Sequence, residues 1–138
     1  MTTQEILEAA RGAKTAVALS DSGTRDSALL GMADALCAPE SMDAILAANA
    51  EDMAAAKGRI SDVMLDRLAL TPQRIEAMAK GIRDVAALPD PVDRVLSRLE
   101  RPNGLVIEKT AVPMGVIAII YESRPNVTSD AAALAIKS

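Results

Sequence analysis

The chain has 138 residues, half of them hydrophobic and a quarter charged, with a net charge of −4. That length suits one domain burying roughly two-thirds of its unfolded surface. The acidic balance leaves no positive stripe to displace phosphate counterions, which argues against a nucleic-acid interface, and the longest apolar run, residues 111–121, is far below the ~20 residues that span a bilayer.

There is no Phe and no Trp, and Tyr121 is the only Tyr, so the core is expected to be built from Leu, Ile, Val, Met and Ala, a composition that leans helical. The N-terminus lacks the basic-then-apolar pattern of a signal peptide. The single Cys37 cannot form an internal disulfide, which fits a reducing compartment, so a cytoplasmic location is expected.

Thr2 and Glu5 have capping-box spacing and open a first helix, with Ile6, Ala9, Ala13, Ala16 and Val17 on one face. A break at residues 20–23 precedes a second helix carrying Ala28, Leu29, Met32, Ala35 and Leu36. Pro39 suits the first turn of a third helix, where its missing N–H costs nothing, and Gly58 suits its C-cap. A short turn is expected over residues 61–68. Thr71-Pro72 then caps a helix whose apolar positions, Ile75, Met78, Ala79, Ile82, Val85 and Ala86, recur at helical spacing until Pro89.

The pattern changes at Asp90-Pro91. Apolar and polar residues partly alternate around Pro102-Asn103-Gly104, which predicts a β-hairpin with arms near residues 94–101 and 105–112. Residues 115–120, Gly-Val-Ile-Ala-Ile-Ile, are apolar on both faces, as a buried parallel strand should be. A loop from Tyr121 to Asn126 leads into a last helix near Val127–Thr128, with Thr128-Ser129-Asp130 as its expected cap. Strand into helix is half of a βαβ unit. One parallel strand cannot form a sheet alone, so the sheet is expected to be completed by residues outside these 138.

The strings Pro113-Met114-Gly115-Val116 and Tyr121-Glu122-Ser123-Arg124-Pro125-Asn126-Val127-Thr128 resemble the γ-glutamyl phosphate reductase family, within the aldehyde dehydrogenase superfamily. Upstream, Asp66-Arg67-Leu68, Leu70-Thr71, Arg74-Ile75, Met78-Ala79, Leu88-Pro89-Asp90-Pro91-Val92 and Arg101-Pro102-Asn103-Gly104-Leu105 are similar to the same family. The resemblance implies an α/β enzyme. Residues 1–90 would be the helical N-terminal region of its cofactor domain, residues 91–112 a hairpin arm for homo-oligomerisation, and residues 113–138 the first strand, loop and helix of a Rossmann-like dinucleotide-binding domain. It further implies NADPH as cofactor and L-glutamyl 5-phosphate as substrate, reduced to L-glutamate 5-semialdehyde in proline biosynthesis. The family's nucleophilic Cys is expected downstream of Ser138, so this chain carries no catalytic residue and is expected to be inactive alone.

Within the chain, the loop at the carboxyl end of the expected strand is the candidate site, because open α/β sheets bind ligands there. Arg124 offers a planar fork for a carboxylate or phosphate, and Asn126 can both donate and accept. Arg124, Asn126, Glu122 and Ser123 are the candidate substrate-binding residues, and Tyr121 and Glu122 the candidate cofactor contacts. Some superfamily members hold an oxyanion with an Asn after this strand; Asn126, Glu122 or a backbone N–H is the candidate here. The structural alternative is a turn in which Glu122 pairs with Arg124. Cys37 has no His to activate it and falls on an apolar stripe, so it reads as structural. Lys137 reads as a solvated or oligomer-facing charge, and no carboxylate set has the convergence of a metal site. Two other function classes remain open: a non-catalytic helical interaction module, and a superfamily member with another acyl substrate. The coding sequence beyond Ser138 discriminates them.

Overall fold

A computed structural model describes residues 2–122 and 124–138. Its elements, in chain order, are helices α1 (Thr3–Ala18), α2 (Ser22–Cys37), α3 (Pro39–Ala56), α4 (Asp62–Leu68) and α5 (Pro72–Ala86), strands β1 (Val95–Glu100) and β2 (Val106–Thr110), and helix α6 (Asn126–Lys137).

Local chemistry sets most helix starts. Thr2 and Glu5 form the reciprocal capping box of α1, and Asp21, Ser61 and Thr71 accept from backbone N–H groups at the starts of α2, α4 and α5. Each such cap satisfies an otherwise orphaned donor. Pro39 and Pro72 occupy first turns. Lys57 is the C-cap of α3, and Gly58 beyond it takes φ +76°, a conformation that L side chains disfavour. The turn expected over residues 61–68 is instead the short helix α4: Ser61 caps it, and its seven residues are too short a sample for the helical period to show.

The core lies where α2, α5 and α6 meet. Leu29, Ala33, Ala79, Ile82, Ala86 and Ala133 form its buried cluster, and four of these six are Ala, which lets helix backbones approach closely. By contrast, α1 buries no residue, and Ile6 and Val17 on its apolar stripe stay exposed. Amphipathic spacing specified that helix, but among the described residues its apolar stripe stays largely open.

Two ion pairs, each with a buried cation and a half-buried acid, tie the segment after α5 and the end of α6 to α2. Arg25 donates to Asp90 at 2.5 Å and also to the Ser20 carbonyl. Lys137, expected to be solvated, is buried: its Nζ donates to Asp26 Oδ1 at 2.6 Å and to the Ala86 carbonyl at 2.8 Å. Packing α6 onto α5 and α2 carries Lys137 to the end of α5, a placement no local pattern encodes. The Val92 backbone N–H, and then Arg25, hold the Asp90 carboxyl below the usual carboxylate range.

The hairpin pairs Leu99 with Ile107 and Arg98 with Glu108, with an irregularity between Val95 and Ser97. The ladder is shorter than the expected arms, but at its base the Asp93 N–H donates to the Ala111 carbonyl and the Ala111 N–H donates to the Arg94 carbonyl, both at 3.0 Å. The Gly104 N–H closes the turn on the Arg101 carbonyl at 2.9 Å, with Gly104 at φ +82°. Every residue of both strands is exposed.

Residues 115–120 form no strand among the described residues, which corrects the expectation of a paired, buried strand. Ile117, Ile119 and Ile120 are 46%, 50% and 100% exposed. The physical reason is the one the sequence raised: a strand exists only as part of a ladder, and no neighbour is available to complete one. The cap expected from Thr128-Ser129-Asp130 is also corrected. The N-cap is Pro125, without a side-chain bond, and these three residues lie inside α6. The Ser129 hydroxyl donates to the Asn126 carbonyl at 2.8 Å.

Candidate functional site

A cleft of about 400 Å³ opens where α4, the α4–α5 connection, α5 and the start of α6 converge. Its rim is held from two sides. The amide of Asn49, a buried side chain on α3, donates to the Leu68 carbonyl at 2.9 Å and accepts from the Leu70 N–H at 2.7 Å. From the other side, Arg74 on α5 donates to the carbonyls of Asp66 and Ala69 and pairs with the Asp66 carboxylate at 2.8 Å. The backbone of the rim and the Arg74 and Asp66 side chains are thereby held in place.

Three arginines, Arg67, Arg74 and Arg124, are among the residues lining this cleft, with Asp66, Asp130 and Asn126. Asp66 neutralises Arg74. Among the described residues, no hydrogen bond or ion pair engages the guanidinium of Arg67 or Arg124, and Glu122 does not pair with Arg124. Two exposed, unpaired forks on facing elements can grip an anion bidentately.

Of the residues singled out from the sequence, Arg124 and Asn126 meet in the cleft, and Asn126 Nδ2 donates to Asp130 Oδ2 at 3.0 Å. Tyr121 and Glu122 lie on the exposed segment outside it, and the hydroxyls of Tyr121 and Thr128 stand 2.5 Å apart. Ser123 lies outside the described residues. Arg67, Arg74 and Asp66 were missed as site residues. Their one signal was their place in the family-like strings, because helix spacing gives no hint that the α4 end faces the start of α6. Cys37 packs half-buried against the core, and the nearby Arg83 is bound to Asp34 at 2.6 Å. Among the described residues, no group of three or more His, Cys, Asp or Glu side chains could hold a metal ion, and no helix is long and apolar enough to cross a membrane.

The fold that builds this cleft is shared with solved reductases. The chain superposes over 97% of its length on a γ-glutamyl phosphate reductase from Thermotoga maritima, with a TM-score of 0.91 and 37% identity. It does so over its whole length on the corresponding enzyme from Saccharomyces cerevisiae, with a TM-score of 0.89 and 38% identity. It covers 32% and 35% of those chains.

The particular relatives agree. Curated γ-glutamyl phosphate reductases of Streptococcus pneumoniae, strains Hungary19A-6 and D39 among them, are 60% identical over 135 residues. These are 98% of this chain and 32% of theirs, so the chain spans about a third of the length of the curated relatives it matches. No family model matches the chain. The resemblance drawn from the sequence therefore holds over nearly all of the 138 residues, in sequence and in fold.

Proposed function

We propose that these residues form the N-terminal third of a cytoplasmic, NADPH-dependent reductase that converts L-glutamyl 5-phosphate to L-glutamate 5-semialdehyde and phosphate. The observation that carries this reading is the cleft with unpaired Arg67 and Arg124. The substrate brings a phosphate and a carboxylate, and fixed positive charge is what such a ligand requires. The likeness to reductases at 60% identity supports the choice of substrate.

In this reading residues 1–90 are the helical part of the cofactor domain, residues 91–112 an oligomerisation arm, and residues 113–138 the first strand, loop and helix of the dinucleotide fold. The exposed apolar residues 115–120 find their partner strands elsewhere in the reductase. NADPH supplies the hydride when bound. Tyr121 and Glu122, two exposed side chains on one segment, do not build a dinucleotide site by themselves, so the cofactor's main contacts belong to the remainder of the enzyme. The nucleophilic Cys belongs there too, since Cys37 packs against the helical core away from the cleft. The residues of this segment bind and orient: Arg124 and Arg67 hold the anionic ends, while Arg74 and Asn49 fix the rim.

The test is the reverse reaction of the complete natural polypeptide that contains these residues. Phosphate-dependent reduction of NADP⁺ by L-glutamate 5-semialdehyde is expected. Turnover that ignores phosphate, or none at all, would overturn the reading, and equal turnover with NAD⁺ would correct the cofactor.

A further inference from the structure

A cleft meant to hold a phosphate and a carboxylate should not also carry an unneutralised negative charge, yet Asp130 lines it. The two acids of the cleft differ. Asp66 is paired with Arg74, whereas the one side-chain partner of Asp130 among the described residues is the neutral amide of Asn126, 3.0 Å from Oδ2. That bond orients the carboxylate without cancelling its charge. Oδ1 faces α5 at Gly81, 3.9 Å from the position a Cβ would take there, so no side chain at that position stands between the carboxylate and the helix. Such a group repels an anionic ligand at Coulombic range unless the ligand also brings a cation.

An α-amino acid brings one. Building on the proposed reductase reading, we infer that Asp130 recognises the α-ammonium of the substrate and makes the cleft selective for acyl derivatives of an α-amino acid. Arg67 and Arg124 serve the anionic ends, Asp130 serves the ammonium, and Asn126 is the positioning residue that aims it. A site built around such a hydrogen-bonded charge discriminates strongly against the analogue that lacks the matching group, because its own polar group is then left unpaired.

The experiment compares two substrates that differ only in the amino group, L-glutamate 5-semialdehyde and 5-oxopentanoate, in the phosphate-dependent reverse assay of the complete polypeptide. The wild type is expected to prefer the amino-bearing substrate. Asp130→Asn should lower kcat/KM for that substrate by about 10- to 100-fold, the size of a lost charge-assisted bond, mainly through KM. Turnover of 5-oxopentanoate should stay level or rise, which also reports that the variant is folded, and Asp130→Ala should follow the same split. Equal losses on both substrates would make Asp130 a structural partner of Asn126 and overturn the inference, as would no loss on either. A wild type that turns over 5-oxopentanoate as well as the amino-bearing substrate would overturn it while leaving the reductase reading intact. A wild type inert toward both would overturn that reading, and this inference with it.

Discussion

Replacing Lys137 with Met keeps most of the apolar stem and deletes the ammonium. In the structure this side chain is 5% exposed, and its Nζ donates to Asp26 at 2.6 Å and to the Ala86 carbonyl at 2.8 Å. The loss is chiefly one charge-assisted hydrogen bond, about 1.5–3 kcal/mol. It should stay in that range because the abandoned Asp26 side chain is 32% exposed and water can resolvate it. The converse change, Asp26→Asn, strands an ammonium in a dry site without its counter-charge, and should cost about 3–5 kcal/mol. The order is therefore specific: Asp26→Asn is more damaging than Lys137→Met. The double change Asp26→Leu with Lys137→Met should recover much of the loss, since apolar replacements of buried pairs are often tolerated. Urea denaturation of the 138-residue chain, fitted for midpoint and slope, measures all three. A Lys137→Met cost within the ±0.5 kcal/mol typical of surface positions, or an inverted order, would refute the placement of Lys137 as a buried tie between α6, α5 and α2.

Arg124→Ala in the complete polypeptide should lower kcat/KM by about 10- to 100-fold, and Arg124→Lys should restore only part of it, because an ammonium lacks the bidentate fork; an unchanged thermal midpoint would separate this from unfolding. Thr71→Ala should destabilise by about 1 kcal/mol, because the Thr71 hydroxyl caps the helix that carries half of the buried core cluster; the urea midpoint reports it. The depressed carboxyls of Asp21, bonded to the Thr24 N–H, and Asp90, bonded to the Val92 N–H and beside Arg25, contribute stability that is present above the unfolded value of about 3.9. That contribution is lost as pH falls through their lower folded values, so thermal midpoints should drop below about pH 4. Asp90→Asn should flatten this acid limb, and an identical limb in the variant would exclude Asp90 as a cause. The hairpin, exposed along both strands and both edges, should drive self-association of the 138-residue chain; sedimentation at micromolar concentration showing only monomer would count against it.

Local chemistry was legible wherever a few consecutive residues decide the outcome. The Thr2–Glu5 box, the Pro39 and Thr71-Pro72 starts, the Gly104 turn and the stripe through Ile75, Ala79 and Ile82 each encode their element within one or two turns, and the structure carries all of them. The family resemblance was equally legible, because it rests on strings of specific residues. Helix α4 was not, since seven residues give too short a sample of the helical period. What the tertiary structure alone decided is which distant residues meet. Arg67 and Arg74 share a cleft with Arg124, and Asn49 pins the α4–α5 connection on its rim. Lys137 finds Asp26 across 111 positions, and the apolar residues 115–120 stay unpaired because a strand's stability resides in its neighbours. Periodicity records which face of an element is apolar, but only packing assigns that face a partner, and the cleft's charges are arranged by packing.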